Sequence, residues 1–316
     1  MGMKLLGILL LMGGGCLSLS AQEIRADLEY FGTKGQQNET QDRSSKMSTV
    51  SQPVAQQDST EERRYDQLIG HALQAARKDS LKLSEHLFKE ALRMDPANMR
   101  NALLLTNLGT VQRRLGKVEE AIDSYTLSLN ITPYSVVTLL NRASLYLSKN
   151  LYNKAYLDYC NVIDIDKDNI EALFFRAYIY MQRRDYGGAR QDYNALLLLE
   201  PGHSTARLGR ALLNQKEGKF REALEDFTRL VTDHPRDVTY LKARARLEAE
   251  MGKSEVALLD LEDAAKIDPD DAEIYVLCGD IYLSQKRKRE AYVAYEKAVS
   301  LGVPRPELQD KIKASK

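Results

Sequence analysis

From residue 102 onward the chain reads as short stretches in which apolar side chains recur every three or four positions, separated by polar breaks. Between residues 170 and 203, Ala172, Leu173, Ala177 and Tyr180 fall on one helical face, and Ala189, Tyr193, Leu196 and Leu197 fall on a second. This spacing predicts two amphipathic helices. The pair then recurs, because Ala121, Ala155, Ala189, Ala223, Ala257 and Ala291 each stand 34 residues after the one before. Four places beyond them come Tyr125, Tyr159, Tyr193, Phe227, Leu261 and Tyr295, and Pro133, Pro201, Pro235 and Pro269 close four of the units. A proline there stops the second helix, since it lacks the N–H and clashes with the preceding turn.

The units so defined are 102–135, 136–169, 170–203, 204–237, 238–271 and 272–305. A divergent first unit, 65–98, carries Phe88, Ala91 and Asp95-Pro96 in register, with Ser84 at the alanine position and three extra residues after it. No single unit can bury its own apolar face, so neighbours must stack into one continuous core. The tail, 306–316, reads as a closing helix.

The pattern resembles that of the tetratricopeptide repeat family, W-x2-L-G-x2-Y, then A-x3-F, then P. The best match is Leu108-Gly109, Gly116, Ala121, Tyr125 and Pro133, with Leu105 in place of the tryptophan and Gln112 in place of the first tyrosine. The resemblance implies an all-α, right-handed superhelical solenoid of helix-turn-helix repeats with a C-terminal capping helix. It also implies a concave groove, lined by the first helix of each repeat, in which a partner protein or peptide lies.

Ahead of the repeats, residues 1–21 place Lys4 before the apolar run Leu5 to Met12, a glycine triplet and a small-residue end at Ser20-Ala21. This is the layout of a secretory signal peptide, too short for a membrane span, and it predicts an exported protein, periplasmic or secreted, of a bacterial envelope. Cys16 after Gly13-Gly14-Gly15 offers an alternative, a lipid-anchored N-terminus. Residues 22–60 are rich in Gln, Ser, Thr and charge, and read as a disordered polar leader.

Composition narrows the function classes. The 316 residues carry 45 basic and 45 acidic side chains, which counts against a nucleic-acid binder. Three cysteines and four histidines, His71, His86, His203 and His234, show no metal or catalytic spacing. Cys160 and Cys278 lie four repeats apart, too far for a disulfide. No phosphate loop, nucleophile elbow or cofactor motif appears, so the expectation is a non-enzymatic scaffold without cofactor. A regulatory or accessory subunit of an envelope enzyme complex and a direct glycan or small-molecule binder are the alternatives.

Two sets of residues carry the site expectations. Arg142, Arg176, Arg210 and Arg244 occupy position 7 of four repeats, and Asp158, Asp192, Asp226 and Asp260 occupy position 23 of the same four. Where one is missing, so is the other: Leu108 and Cys278 go with Ser124 and Ala294. A half-buried Arg without its carboxylate would be costly, so the concordance predicts an ion pair within each repeat. The second set comes from the resemblance, which places groove residues at positions 5, 9 and 12 of the first helices. These are Leu140, Ser144 and Leu147, then Phe174, Tyr178 and Met181, then Leu208 and Leu212, with Lys242 and Arg246 forming a basic patch beside them. A peptide with apolar anchors and an acidic end would fit such a row, whereas apolar stripes of this kind also simply fill the space between helices.

Overall fold

The structure, a computed structural model, describes residues 54–316, with side chains from residue 60. The signal-peptide and Cys16 expectations therefore lie outside the described residues. The polar leader was expected to run to residue 60, but a helix already begins at Val54, directly after Pro53. Residues 54–60 contain neither Gly nor Pro, and a helix anchored further along by Tyr65, Ile69, Ala72 and Ala76 extends backward through them at one hydrogen bond per residue.

Fifteen helices and no strand occur among the described residues. The first pair is α1 (Val54–Arg77) and α2 (Leu81–Met94). There follow α3 (Asn101–Arg114) with α4 (Val118–Ile131), α5 (Val136–Ser148) with α6 (Tyr152–Ile165), and α7 (Ile170–Gln182) with α8 (Tyr186–Leu199). Then come α9 (Ser204–Lys216) with α10 (Phe220–Asp233), α11 (Val238–Glu250) with α12 (Ser254–Ile267), α13 (Ala272–Ser284) with α14 (Lys288–Ser300), and a last helix, α15 (Arg305–Ala314). The chain divides into two compact units, one ending at Arg176 and the other spanning Ala177–Lys316.

In the first unit each helix from α1 to α6 packs on the next, and in the second the same holds from α8 to α15. The reason lies in the periodic small residues. Ala121, Ala155, Ala189, Ala223, Ala257 and Ala291 are all fully buried, as are the aromatic or leucine side chains four places on. In the second and last pairs the close approach is tighter still. A Cβ on Gly109 would stand 2.7 Å from the Tyr125 ring, and one on Gly279 would stand 2.5 Å from that of Tyr295. The end of the stack is closed by Leu308 and Ile312 of α15, which pack on Tyr295 and Ala298.

The turns repeat as faithfully as the core. Position 15 of every unit is left-handed, at φ between 58° and 77°: Asp79, Gly116, Asn150, Arg184, Gly218, Gly252 and Lys286. The following N–H reaches back five residues to the end of the first helix, as in Lys117 to Gln112 O at 2.9 Å and Lys253 to Glu248 O at 2.8 Å. This is the Schellman closure, which satisfies carbonyls that the helix end would otherwise orphan. Entry into the next repeat is fixed by side-chain caps at position 34. Asn169, His203, Asp237 and Asp271 each accept a backbone N–H of the helix that follows.

Candidate functional site

Arg142, Arg210 and Arg244 sit on first helices, and Asp158, Asp226 and Asp260 face them from the second helix of the same repeat. Arg142 Nε and Nη2 donate to the two carboxylate oxygens of Asp158 at 2.9 and 2.8 Å. Arg210 grips Asp226 at 2.9 and 2.7 Å, and Arg244 grips Asp260 at 2.7 Å twice. These are two-pronged, charge-assisted bonds, the strongest kind that a guanidinium makes. All three aspartates are buried. Burial works against the Arg142 charge, yet the Asp158 carboxylate outweighs it and raises its pKa; at Arg244 the hydrogen bond to Asp260 is the leading cause of the same upward shift. Arg176 and Asp192 fall on opposite sides of the division between the units.

Three of the four arginines also reach backward. Arg142 Nη1 donates to Thr126 Oγ1 at 3.1 Å, Arg176 Nη1 lies 3.7 Å from Cys160 Sγ, and Arg210 Nη1 donates to Asn194 Oδ1 at 2.9 Å. Thr126, Cys160 and Asn194 all hold position 25 of the preceding repeat. Arg142 and Arg210 thus each tie three helices together. This second contact was not legible beforehand, because the receiving position accepts a hydroxyl, a thiol or an amide and so shows no residue pattern.

Repeats without the pair solve the same packing problem differently. Tyr125 OH lies 3.1 Å from Thr110 Oγ1, and Tyr295 OH donates to Asp280 at 2.7 Å. Those two tyrosines are the ones seated on Gly109 and Gly279.

The residues expected to line a groove divide by exposure. In the first unit Leu140 and Ser144 are half-buried, whereas Leu147 is buried and Phe174 is buried edge-on against Phe175 at 5.2 Å between ring centroids. In the second unit Met181 and Leu212 are half-buried, and Tyr178 and Leu208 are buried. The expected basic patch needs correction. Lys242 Nζ donates to Asp271 at 2.5 Å and to Glu273 at 2.7 Å, and Arg246 bonds Glu273 from the other side. Burial pulls Glu273 upward, but the hydrogen bond and charge of Lys242, with the charge of Arg246, leave its carboxyl below the ordinary range. The four charges form a compensated cluster, since Asp271 caps the next repeat's first helix and Glu273 lies in its first turn.

One buried acid has no such compensation. Glu248 on α11 is 5% exposed, and its Oε2 has no hydrogen-bond partner among the described residues. Burial, and next the charge of Asp260, raise its pKa above the usual carboxylate value. Two histidines hold turns between repeats: His203 Nδ1 accepts the Ala206 N–H at 3.1 Å, and His234 Nε2 lies 2.7 Å from Ser204 Oγ. Burial pushes the Cys278 thiol up to about 11. Among the described residues no group of three or more His, Cys, Asp or Glu side chains could hold a metal ion, and no helix is long and apolar enough to cross a membrane.

Comparison with known proteins agrees with this architecture. The family model described as the ETO1 C-terminal domain matches residues 67–285, and a tetratricopeptide repeat model matches residues 272–301. A tetratricopeptide repeat protein from Parabacteroides merdae ATCC 43184 is 36% identical, covers 79% of this chain and is itself covered over 98%, with a TM-score of 0.58. YrrB, described as a TPR protein with an unusual peptide-binding site, shares the fold at 18% identity, with 63% of this chain and 97% of its own covered, and a TM-score of 0.53. DnaJ homolog subfamily C member 7 of Homo sapiens is 34% identical over 94 residues, 29% of this chain, and the chain spans only 19% of that relative's length. With repeat register, paired helices and a family model over most of its length in agreement, the chain is a tetratricopeptide repeat protein and belongs to the family of the ETO1 C-terminal domain.

Proposed function

We propose that this protein is a non-enzymatic scaffold that holds an extended peptide, or one face of an amphipathic helix, of a partner protein against the first helices of its repeats. The observation that carries the reading is the state of the second unit's first helices. Met181 and Leu212 stay half-buried although their neighbours Tyr178 and Leu208 are fully packed, and the next first helix along presents the Lys242–Asp271–Glu273–Arg246 cluster. Half-buried apolar anchors beside satisfied polar groups are the makings of a contact surface. Because the cluster is already compensated, an acidic end on the partner gains nothing from it, and the apolar anchors set the preference.

The test uses a phage-displayed library of short peptides, panned on the protein and read by fluorescence anisotropy with the selected sequences. Leu212→Lys, a change at a half-buried position, is expected to weaken binding at least about tenfold, roughly 1.4 kcal/mol. Selected peptides that bind Leu212→Lys and Met181→Lys as tightly as the parent would end the reading.

The same proposal places the protein outside the cytoplasm of a bacterium, on the strength of the residue pattern at 1–21. N-terminal sequencing of the chain recovered from fractionated cells tests this. A mature start near Ala21 fits export as a soluble protein, a lipidated Cys16 redirects it to a membrane anchor, and an intact Met1 in the cytoplasm refutes it.

A further inference from the structure

Position 11, near the end of each first helix, is engaged by a neighbour in four of the repeats. Gln112 accepts from Ser124 Oγ at 2.7 Å and donates to Glu120 at 3.3 Å. Asn214 accepts from Arg190 at 2.5 Å, and the rings of Tyr146 and Tyr282 lie under Arg142 and Arg287, 5.7 and 4.5 Å from ring centre to guanidinium carbon. In the repeat 238–271 the residue is Glu248, which is buried and has no hydrogen bond to its Oε2 among the described residues. The register explains the gap. Arg190 holds position 21 of the repeat before Asn214, whereas position 21 of the repeat before Glu248 is the half-buried Leu224.

Nothing packed around Glu248 takes up its charge. Arg244, one turn earlier on α11, is held on two prongs by Asp260, and Asp260 acts on Glu248 from α12 with the same sign. α10, which packs on α11, has its own buried acid, Asp226, held by Arg207 and Arg210. α13 brings Glu273 to α11, where Lys242 and Arg246 hold it. The cation that acts on Glu248 and is held by no carboxylate among the described residues is Lys253, exposed in the turn into α12.

A buried carboxyl in such a place is stable while protonated, but once ionised it must find a counter-charge or reach water. The way out is short. α11 ends at Glu250, two residues further on, and Gly252 takes the left-handed conformation at φ 77°. Three N–H groups close the turn: Met251 to Leu247 O at 2.9 Å, Gly252 to Ala249 O at 3.0 Å, and Lys253 to the carbonyl of Glu248 itself at 2.8 Å. Unwinding that single turn carries the carboxylate outward to Lys253. In a stack each repeat touches only its neighbours, so the penalty of one charge falls on one repeat and not on the whole unit.

We propose that Glu248 is a proton-operated latch on the turn between α11 and α12: protonated, it stays packed and the turn is shut, and ionised, it leaves for water beside Lys253 as the last turn of α11 unwinds. Acid closes the latch and alkali opens it. Burial, and next the charge of Asp260, raise this carboxyl's pKa on folding, so the closed state's advantage is complete below the unfolded value and is lost as pH rises through the folded one. The inference stands apart from the peptide-binding reading.

Native-state hydrogen exchange of the full chain from about pH 5 to about pH 9, the span over which buried carboxyls titrate, tests it, with each rate corrected for intrinsic exchange at that pH. Protection of the Met251, Gly252 and Lys253 amides is expected to fall at least about tenfold across the range, while amides in the middle of α9 and α13 keep theirs. Glu248→Gln should leave the turn protected at every pH. Leu224→Arg, which puts a guanidinium at the register of Arg190, should do the same by giving the charged acid a partner. A parent whose protection at 251–253 does not change with pH overturns the proposal. So does a fall that Glu248→Gln retains, because the histidines it leaves in place, His203 and His234, titrate in the same range. A fall of equal size in α9 and α13 overturns it as well, since the opening is then global, and that comparison within the parent stands whether or not a variant folds.

Discussion

Replacing Arg244 with methionine removes both bonds to Asp260 and leaves a buried carboxylate facing Glu248, which is itself buried and lacks a partner on one oxygen. The side chains of Arg244 and Asp260 are 19% and 8% exposed, so water cannot take over the lost interactions. Breaking a buried pair by removing one member costs about 3–5 kcal/mol, whereas replacing both members with apolar groups of similar volume is often neutral. Arg244→Met alone should therefore cost about 3 kcal/mol or more, and Arg244→Met with Asp260→Leu about 1 kcal/mol. Asp260→Leu alone should cost less than Arg244→Met, because the freed guanidinium can turn to Glu248. Urea unfolding followed by circular dichroism reads all four corners of the cycle, and the double variant's midpoint should lie well above that of Arg244→Met. If the two single losses simply add in the double variant, the pair is not the unit of stability described here.

Two further substitutions probe the same packing. Glu248→Gln should raise stability at neutral pH, because the amide carries no charge to bury beside Asp260. Because folding raises this carboxyl's pKa, its stabilising share is complete below the unfolded value and disappears as pH rises through the folded one. The advantage of the glutamine should accordingly shrink as unfolding is measured toward acid pH, and a gain independent of pH would refute the assignment. Gly279→Ala would put a Cβ 2.5 Å from the ring of Tyr295, which cannot yield because its hydroxyl holds Asp280. A loss of about 1–3 kcal/mol is expected, against a small gain for Gly70→Ala in α1, where nothing lies within 4 Å; equal melting temperatures for the two would contradict the close-approach account.

The helix pairs were legible in the sequence because the alanine series and the aromatic four places on are set by packing between helices, which tolerates few residue types. The turns were half legible. Gly116, Gly218 and Gly252 mark the left-handed position, and Asp79 and Asn150 tolerate it, but Arg184 and Lys286 take the same conformation and leave no residue signature. What escaped was contact between repeats. Lys242 and Arg246 look like a basic patch along their own helix, and only stacking brings Asp271 and Glu273 to them. Likewise Phe174 and Tyr178 share a helical face with Met181, yet the spacing alone does not say which of them neighbours will cover.

The backward reach of the position-7 arginine makes successive links of the chain interchangeable. Excising residues 204–237 would join His203 to Val238, so that a helix-capping side chain again precedes a first helix. Arg244 would keep Asp260 and inherit Asn194, the amide that Arg210 holds in the intact protein. A gene that drops a whole link can thus hand this one arginine joint on to the next repeat intact.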